Sequence, residues 1–190
     1  MMQLQKSRIL LTSNPLFKVK VLLLGKNGLL GKEIAHAFMN KGNDEFFALN
    51  HSDLDITDKD ALAMTLKDVK PDHVINAAAF TFVDDCEAKK EFVMTVNGHA
   101  NGTLAELCHD IGAHLTYFST DYVFDGTKDG DYVEDDITCP INAYGESKLL
   151  GEQLIQENTD KFFIIRTSWL FGMHGRNFVT TMLDLAKKGG

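Results

Sequence analysis

The chain has 190 residues, of which 44% are hydrophobic and 24% charged, and this composition suits one soluble domain with a sizeable core. Its formal net charge of -8 argues against a general nucleic-acid-binding role. No apolar run approaches the roughly 18 residues that predict a membrane span. The three cysteines, Cys86, Cys108 and Cys139, fit neither a disulfide framework nor a paired-cysteine zinc site, so we expect a cytoplasmic protein.

The first 18 residues are basic and contain no acidic residue. Their apolar patch, Ile9–Leu11, is short, and no small-residue cleavage site follows it. We therefore expect residues 1–18 to form an N-terminal extension and residues 19–190 to form the folded domain. A targeting peptide is the alternative interpretation of the extension.

From Val19 onward, apolar runs of strand length alternate with segments of helical spacing. The runs predict strands at Val19–Leu24, Phe46–Leu49, His73–Asn76, His114–Phe118 and Phe162–Ile165. The other segments predict helices at Leu29–Asn40, Asp58–Lys67, Asp84–Asp110, Ala143–Glu157 and Asn177–Lys187. Expected helix C-caps are Gly42, Gly112 and Gly189. This alternation predicts an α/β fold of the Rossmann type, a doubly wound parallel sheet flanked by helices.

A glycine motif follows the first predicted strand and opens the next helix. Gly25, Gly28 and Gly31 allow a tight turn and a close backbone approach, and the N–H groups at the helix start, near Leu29 and Leu30, can receive a pyrophosphate. By itself the motif is explained equally well as a structural turn. The strand before it and the helix after it favour a dinucleotide site.

The end of the second predicted strand lacks the carboxylate that usually marks NAD binding. Asn50, His51 and Ser52 stand there instead, which makes NADP(H) plausible without excluding NAD(H), with His51 or Lys26 adding positive charge. Asp55 and Ile56 follow, where they can bracket an adenine. The alternative is that Asp55 and Thr57 merely start the next helix.

Small residues follow the third predicted strand, where a cofactor could lie directly on the backbone. The segment is Ala77, Ala78, Ala79, Phe80 and Thr81. Strand–helix packing is the competing explanation, because alanines are common in protein cores. With the glycine motif upstream, cofactor contact becomes the favoured interpretation.

Tyr144 and Lys148 are four residues apart in a predicted helix and should share one of its faces. The lysine can lower the tyrosine pKa and hold a nicotinamide ribose, while the tyrosine protonates a ketone. Thr120 ends the preceding strand on the side where open parallel sheets bind ligands. Ser119 is an alternative hydroxyl, but adjacent strand residues point in opposite directions, so we expect only one of the two to face the site.

Together these motifs resemble the dTDP-4-dehydrorhamnose reductase family of the extended short-chain dehydrogenase/reductases. The matching segments are Gly25–Gly31, Ser52–Asp58, Pro71–Thr81, Ser119–Gly126, Asn142–Glu152, Arg166–Trp169 and Asn177–Phe178. The resemblance extends from Val19 to Lys187, and the combination is far more specific than the glycine motif alone.

The resemblance implies an NAD(P)H-dependent oxidoreductase that reduces the C4 ketone of dTDP-4-dehydro-L-rhamnose to dTDP-L-rhamnose. By the same resemblance, Tyr144 is the proton donor and Lys148 the pKa modulator and ribose ligand. Thr120 binds and polarises the ketone, Asp121 contacts the sugar, and Trp169 packs along it.

Three further expectations come from the resemblance. Asn97 matches a position near the nicotinamide, although a buried asparagine that ties helix to strand explains it equally well. Mg²⁺ is implied only by some family members, at a subunit contact, and we assign no metal ligand here, because Glu134–Asp136 is best explained as solvated loop charge. A homodimer or a complementing partner is the expected assembly.

Family members continue well past the position that matches Gly190. We therefore expect a chain truncated at its C-terminus, without most of the smaller substrate-binding portion. Phe82 and Cys86 replace small residues of the family, which narrows the cleft or repacks a helix. The alternative function is a cofactor-binding regulatory subunit similar to the methionine adenosyltransferase β subunit, or an inactive truncated domain.

Overall fold

A computed structural model describes residues 18–39, 44–175 and 177–188. The strands are β1 (Lys20–Leu24), β2 (Glu45–Leu49), β3 (His73–Asn76), β4 (His114–Thr120) and β5 (Phe162–Thr167). The helices are α1 (Leu29–Met39), α2 (Lys59–Val69), α3 (Val83–Ala88), α4 (Lys90–Val93), α5 (Ala100–Ile111), α6 (Ala143–Asn158) and α7 (Phe178–Lys187). Residues 1–17 and the expected caps Gly42 and Gly189 lie outside the described residues.

The five strands form one parallel sheet in the order β2-β1-β3-β4-β5. In its register, Leu24 pairs with Leu49 and Asn76, and Asn76 pairs with Tyr117. This confirms the predicted Rossmann-type fold. Because all the strands are parallel, their carboxyl ends meet at one edge, where open α/β sheets bind ligands.

The main core fills the space between one face of the sheet and the helices α2, α5 and α6. It consists largely of Leu22, Leu24, Leu62, Leu66, Val74, Leu104, Leu115, Tyr117 and Ile155. Each of these side chains is 1% exposed or less. Val21 and Leu23, which alternate with Leu22 and Leu24 along β1, are buried as well, so the continuous apolar run of this strand reflects burial on both faces of the sheet.

Helix α6 lies unusually close to its neighbours. A Cβ on Gly98 would lie 2.6 Å from the Leu150 side chain, and one on Gly151 would lie 2.4 Å from the Asn97 carbonyl oxygen. Real Cβ atoms do not approach so closely. At Gly151 the close atom belongs to the backbone, so glycine is required there, whereas at Gly98 the Leu150 side chain would have to shift. The close approach brings the first half of α6 over the end of β4.

The single long helix predicted for Asp84–Asp110 is wrong. Lys89, with φ -122° and ψ 35°, separates α3 from α4, and Met94–His99 forms a π-helical segment before α5. Apolar spacing does not reveal such a break, because residues on both sides of it still face the core. Wide turns of this kind are frequent at functional sites.

Two predicted helix boundaries are confirmed, and a third helix ends without the glycine that often marks a helix C-terminus. Asn142 caps α6 by accepting a hydrogen bond from the Gly145 N–H at 2.8 Å, and Gly112 ends α5 with φ +72°. The C-cap of helix α2 is instead Lys70, which adopts φ +49° although it is not a glycine.

In the described ranges, no helix has the length and apolarity needed to cross a membrane.

Candidate active site

Two adjoining cavities open at the carboxyl edge of the sheet. The glycine-side cavity, of about 410 Å³, lies beside the ends of β1, β2 and β3. The tyrosine-side cavity, of about 430 Å³, lies between the end of β4, the start of α6 and the segment after β5. Gly28, Ala77 and Ala79 line both cavities, so one extended ligand can reach from one into the other.

The glycine turn shapes the first of these cavities by its backbone. Gly25 has φ +82°, and a Cβ there would lie 2.6 Å from the Ala78 nitrogen; a Cβ on Gly31 would lie 2.1 Å from the Gly25 carbonyl oxygen. Gly28 differs, because the nearest described atom to its Cβ would be the Gly25 oxygen at 3.5 Å. The turn thus fits a phosphate group that approaches the first amides of α1, near Leu29 and Leu30.

The loop that follows β2 is held in place by hydrogen bonds of its own polar side chains. Asn50 Oδ1 accepts hydrogen bonds from Ser52 N and Ser52 Oγ at 2.7 and 2.6 Å. Lys26 Nζ pairs with Asp53 Oδ2 at 2.8 Å, and this bond is the main cause that lowers the pKa of Asp53. Asp53 was not anticipated, and it offsets the charge that Lys26 was expected to offer a 2′-phosphate. His51, whose side chain is 84% exposed, lines the cavity.

Asp55 shapes the turn before α2. Its Oδ1 accepts hydrogen bonds from Thr57 N at 2.9 Å and Thr57 Oγ1 at 2.8 Å, and the backbone bond is the main cause that lowers the Asp55 pKa. The helix itself is capped by Asp58, which accepts from Ala61 N. Asp55 is therefore not the helix cap. Both Asp55 and Ile56 line the glycine-side cavity.

The segment after β3 forms the floor shared by the two cavities. Ala77, Ala78, Ala79 and Phe80 line the glycine-side cavity, and Thr81 lines the tyrosine-side cavity. The Ala78 N–H donates to Asn76 Oδ1 at 3.0 Å. Contact of these residues with a cofactor stays a prediction.

Asn97 supports this floor from behind. Its Oδ1 accepts from Phe80 N, and its Nδ2 donates to the Phe80 carbonyl oxygen, both at 2.9 Å. Nδ2 also lies 3.1 Å from Ser147 Oγ. Asn97 is fully buried, and its amide ties the π-helical segment to the segment after β3. Its contact with a nicotinamide stays a prediction.

Tyr144, Lys148 and Thr120 line the tyrosine-side cavity together, as their spacing predicted. Thr120 Oγ1 lies 3.1 Å from Asp121 Oδ1 and accepts from Tyr122 N at 3.2 Å. Ser119 also lines the cavity, and the expectation that only one of the two side chains faces it stays a prediction. The Ser119 Oγ atom is buried and has no hydrogen-bond partner among the described residues.

The electrostatics of the tyrosine–lysine pair differ from the prediction. Burial raises the pKa of Tyr144 to about 12, opposed by a hydrogen bond with the Thr120 side chain. Burial also lowers the pKa of Lys148 to about 7, opposed by the Glu152 carboxylate. The Tyr144 pKa is therefore raised where a lowering was expected, because desolvation outweighs the hydrogen bond with Thr120.

Three supporting residues were not assigned roles from the sequence. Tyr117 lies under Lys148, with the Lys148 Nζ atom 4.0 Å from its ring centroid. Glu152 accepts two hydrogen bonds from Arg166, at 3.0 Å from Nε and 2.7 Å from Nη2. Arg166 belongs to a segment of the family resemblance, which was the only signal for this pair.

The outer wall of the tyrosine-side cavity contains Asp121 and Trp169. Trp169 is 74% exposed, has φ +52° and packs edge-on against Phe178 with ring centroids 5.1 Å apart. A left-handed conformation is costly for a bulky residue.

Within the described ranges, no three His, Cys, Asp or Glu side chains are grouped to hold a metal ion.

The fold, the glycine turn and the tyrosine–lysine cavity together define a Rossmann-type domain with a dinucleotide-shaped cleft. Comparison with known families assigns it further. Residues 19–190 match the family described as the RmlD substrate binding domain, and the chain belongs to that family.

Individual relatives agree with this assignment. The chain is 44% identical over 170 residues to a dTDP-4-dehydrorhamnose reductase of Burkholderia thailandensis, covering 90% of this chain and 56% of the relative. It is 40% identical over 172 residues to the enzyme of that name from Escherichia coli K12, covering 90% and 58%. The chain thus spans somewhat more than half the length of these relatives.

Solved structures give the same result. The crystal structure of dTDP-4-dehydrorhamnose reductase from Bacillus anthracis in complex with NADP superposes with a TM-score of 0.87 at 37% identity, covering 90% of this chain and 61% of that one. The Clostridium acetobutylicum structure gives 0.86 at 39% identity, covering 90% and 60%.

Proposed function

We propose that the chain carries the cofactor site and the catalytic residues of an NAD(P)H-dependent reductase acting on the C4 ketone of dTDP-4-dehydro-L-rhamnose, with dTDP-L-rhamnose as product. The observation that carries the proposal is the convergence of Thr120, Tyr144 and Lys148 in a cavity that adjoins the glycine-side cavity. The names of the Burkholderia and Escherichia relatives support the choice of substrate.

The cofactor proposal is NADP(H) or NAD(H), held along the two cavities. The glycine turn would take the pyrophosphate, Asn50, Asp55 and Ile56 would lie beside the adenosine, and the floor from Ala77 to Thr81 would support the dinucleotide. The NADP in the Bacillus anthracis structure supports this proposal. When bound, the reduced nicotinamide supplies the hydride for the ketone carbon.

Tyr144 would supply the proton. A pKa of about 12 keeps its hydroxyl protonated near neutral pH, which is the form that reduction requires. As the carbonyl electron pair moves onto oxygen, the Tyr144 hydroxyl donates its proton there, so the product is the neutral alcohol. The Thr120 hydroxyl would bind the same oxygen and orient the ketone.

Lys148 would bind the nicotinamide ribose through its amino group. Its low pKa places it near the point of titration at neutral pH, and hydrogen bonds that the ammonium donates to ribose hydroxyl oxygens would favour its charged form. Asp121 and Trp169 would contact the sugar from the outer wall. Mg²⁺ stays an implication of the resemblance, without assigned ligands.

We also propose a cytoplasmic location and an assembly with a second copy or a complementing partner. The three cysteines are free thiols, which suits a reducing compartment. Near β5, several large apolar side chains are exposed, namely Phe163, Ile165, Trp169, Phe171 and Met173. Surface of this kind is typical of protein contacts, and sedimentation of a clean monomer would contradict the assembly.

The test is turnover. Purified chain is mixed with NADPH or NADH and dTDP-4-dehydro-L-rhamnose while the absorbance of the reduced nicotinamide is followed. Tyr144→Phe should lower kcat by about 10²- to 10⁴-fold while leaving NADPH affinity, measured by calorimetry, within a few fold.

The matched control is Tyr132→Phe, which removes a hydroxyl bonded to Asp125 Oδ1 at 2.9 Å, outside the tyrosine-side cavity. It should retain wild-type turnover. Cofactor binding without any turnover would instead support the regulatory alternative, and absence of both would refute the proposed site.

A further inference from the structure

Tyr117 contacts Lys148 at two places. Its hydroxyl lies 3.0 Å from the Asn97 carbonyl oxygen and 3.3 Å from the Lys148 carbonyl oxygen. Its ring centroid lies 4.0 Å from the Lys148 Nζ atom. One fully buried side chain therefore touches both the backbone and the amino group of the lysine.

The surrounding fold leaves room for this phenol. A Cβ on Gly151 would lie 2.5 Å from the Tyr117 hydroxyl oxygen and 2.4 Å from the Asn97 carbonyl oxygen. Glycine at this position lets α6 approach β4 until Lys148 reaches the ring. A purely structural tyrosine would require this volume and its hydrogen bonds, but not an ammonium over its ring face.

The Lys148 ammonium is removed from water, and the negative face of the Tyr117 ring can stabilise its charge. Lys148 is 2% exposed, and the opposite charge nearest to it on α6, Glu152, already accepts hydrogen bonds from two of the three Arg166 guanidinium nitrogens. The negative face of an aromatic ring attracts a cation most strongly when both are desolvated.

Other titratable groups surround the same site. Tyr144 faces it from α6, and Asp121 and Tyr122 face it from the turn after β4. Cys86 on α3 interacts with Tyr144. These groups stay unchanged in the variants below, so they contribute equally to every titration.

We propose that Tyr117 is a positioning residue for Lys148, in which the ring face holds the ammonium and favours its charged form while the hydroxyl fixes the lysine backbone. The proposal rests on the proposed function, because a charged Lys148 is the donor that a nicotinamide ribose would require. Its physical content, an ammonium stabilised by an aromatic face, can be measured without any cofactor.

The test is the titration of Lys148 in a series of rings of nearly constant shape. Tyr117→Phe is compared with site-specific 3,5-difluoro- and 3,4,5-trifluorophenylalanine at position 117, since fluorine withdraws the negative charge from the ring face. The Lys148 signal is followed by NMR in lysine-labelled protein and identified by its loss in Lys148→Met. The midpoint should fall stepwise, by about one pH unit in total.

A purely structural role would leave the midpoint unchanged across the fluorinated series, and that result would overturn the proposal. If Tyr117→Phe does not fold, 3-fluoro- and 3,5-difluorotyrosine at this position keep the hydroxyl and are compared with unmodified Tyr117 in the same way.

Calorimetric NADPH binding across pH separates the two proposals. If Lys148 responds to fluorination but NADPH does not bind, the proposed function fails and the role of Tyr117 stands. If NADPH binds and turns over while the Lys148 midpoint is insensitive to the ring, the role of Tyr117 fails alone. With both correct, affinity declines with rising pH about one unit earlier in the trifluorinated protein.

Discussion

The two adjoining cavities are built in different ways. The glycine-side cavity is shaped by backbone, through Gly25, Gly28 and the alanines after β3. The tyrosine-side cavity is shaped by polar side chains, above all the half-buried Tyr144 and the buried Lys148. Backbone shape follows directly from residue type, whereas the charge state of a buried side chain depends on everything packed around it. Substitutions in the glycine-side cavity and in the tyrosine-side cavity should therefore have different effects on stability, cofactor affinity and pH dependence.

The largest expected effect is on the backbone-built side. A Cβ in Gly31→Ala would lie 2.1 Å from the Gly25 carbonyl oxygen, so α1 would have to move away from the turn. We expect the free energy of unfolding to fall by about 3 kcal/mol or more, measured by urea denaturation.

Gly28→Ala is the matched control. Its Cβ would have no contact closer than 3.5 Å among the described residues, so stability should change by less than about 1 kcal/mol. NADPH affinity should nevertheless fall, because the methyl group would project into the space shared by the two cavities. Equal stability of the two variants would contradict the backbone account.

A comparable loss is expected behind the tyrosine-side cavity. Glu152→Gln leaves the Arg166 guanidinium without its carboxylate partner, and Glu152 is only 1% exposed. Breaking a buried pair in this way should cost about 3 kcal/mol, measured by thermal or urea unfolding.

The exposed pair between Lys59 and Glu106, 3.0 Å apart, provides the comparison. Glu106→Gln should change the free energy of unfolding by less than about 1 kcal/mol. If Glu152→Gln changes the free energy of unfolding as little as Glu106→Gln does, the pair of Glu152 and Arg166 does not stabilise the fold behind the tyrosine-side cavity.

Lys148 should give stability a pH dependence that the glycine-side cavity lacks. Its folded pKa of about 7 lies below the ordinary value of 10.5, so the unfolded chain binds more protons between these values. Wild-type stability should therefore rise from pH 7 to about pH 8.5, by up to about 1.4 kcal/mol per pH unit from this group. Lys148→Met should remove that slope and stabilise the protein most at pH 7.

Urea unfolding at several pH values from 7 to about 8.5 measures the slope. The window stops there because burial raises the pKa of Cys108 from 9.0 to about 12, so this thiol makes stability fall with rising pH above that range. The exposed Lys67 supplies the control, since Lys67→Met should retain the wild-type slope. A parallel profile for Lys148→Met would contradict the lowered pKa of Lys148.

The smallest effects separate two neighbouring aspartates. Asp58→Ala removes the α2 cap and should cost about 1 kcal/mol with little change in cofactor affinity. Asp55→Ala should weaken cofactor affinity several fold at constant pH if Asp55 lies beside the adenosine. Unfolding curves and calorimetry on both variants check this, and unchanged affinity in Asp55→Ala would leave it as a turn residue alone.

The sequence predicted the sheet and the convergence of Thr120, Tyr144 and Lys148, because strand periodicity, turn residues and helical spacing are local properties. It missed the break at Lys89 and the π-helical segment, because apolar residues on both sides of the break still face the same core. The left-handed Lys70 also gave no signal, since any residue can adopt that conformation when tertiary contacts outweigh its cost.

The electrostatics could not be predicted for a different reason. Spacing placed Lys148 next to Tyr144 and suggested a lowered tyrosine pKa, but it could not show how deeply both would be buried. Likewise, spacing could not show that the Asn97 amide is bonded to Phe80. Desolvation and hydrogen-bond partners are properties of packing.

Trp169 gives the protein a built-in optical reporter. It is the only tryptophan in the sequence, it lines the tyrosine-side cavity, and its exposed indole should emit at the long wavelengths typical of a solvated ring. A sugar that covers the indole would shift this emission to shorter wavelengths. A reduced nicotinamide nearby would quench it by energy transfer, so the order in which two ligands enter the cleft can be read from the fluorescence of one residue.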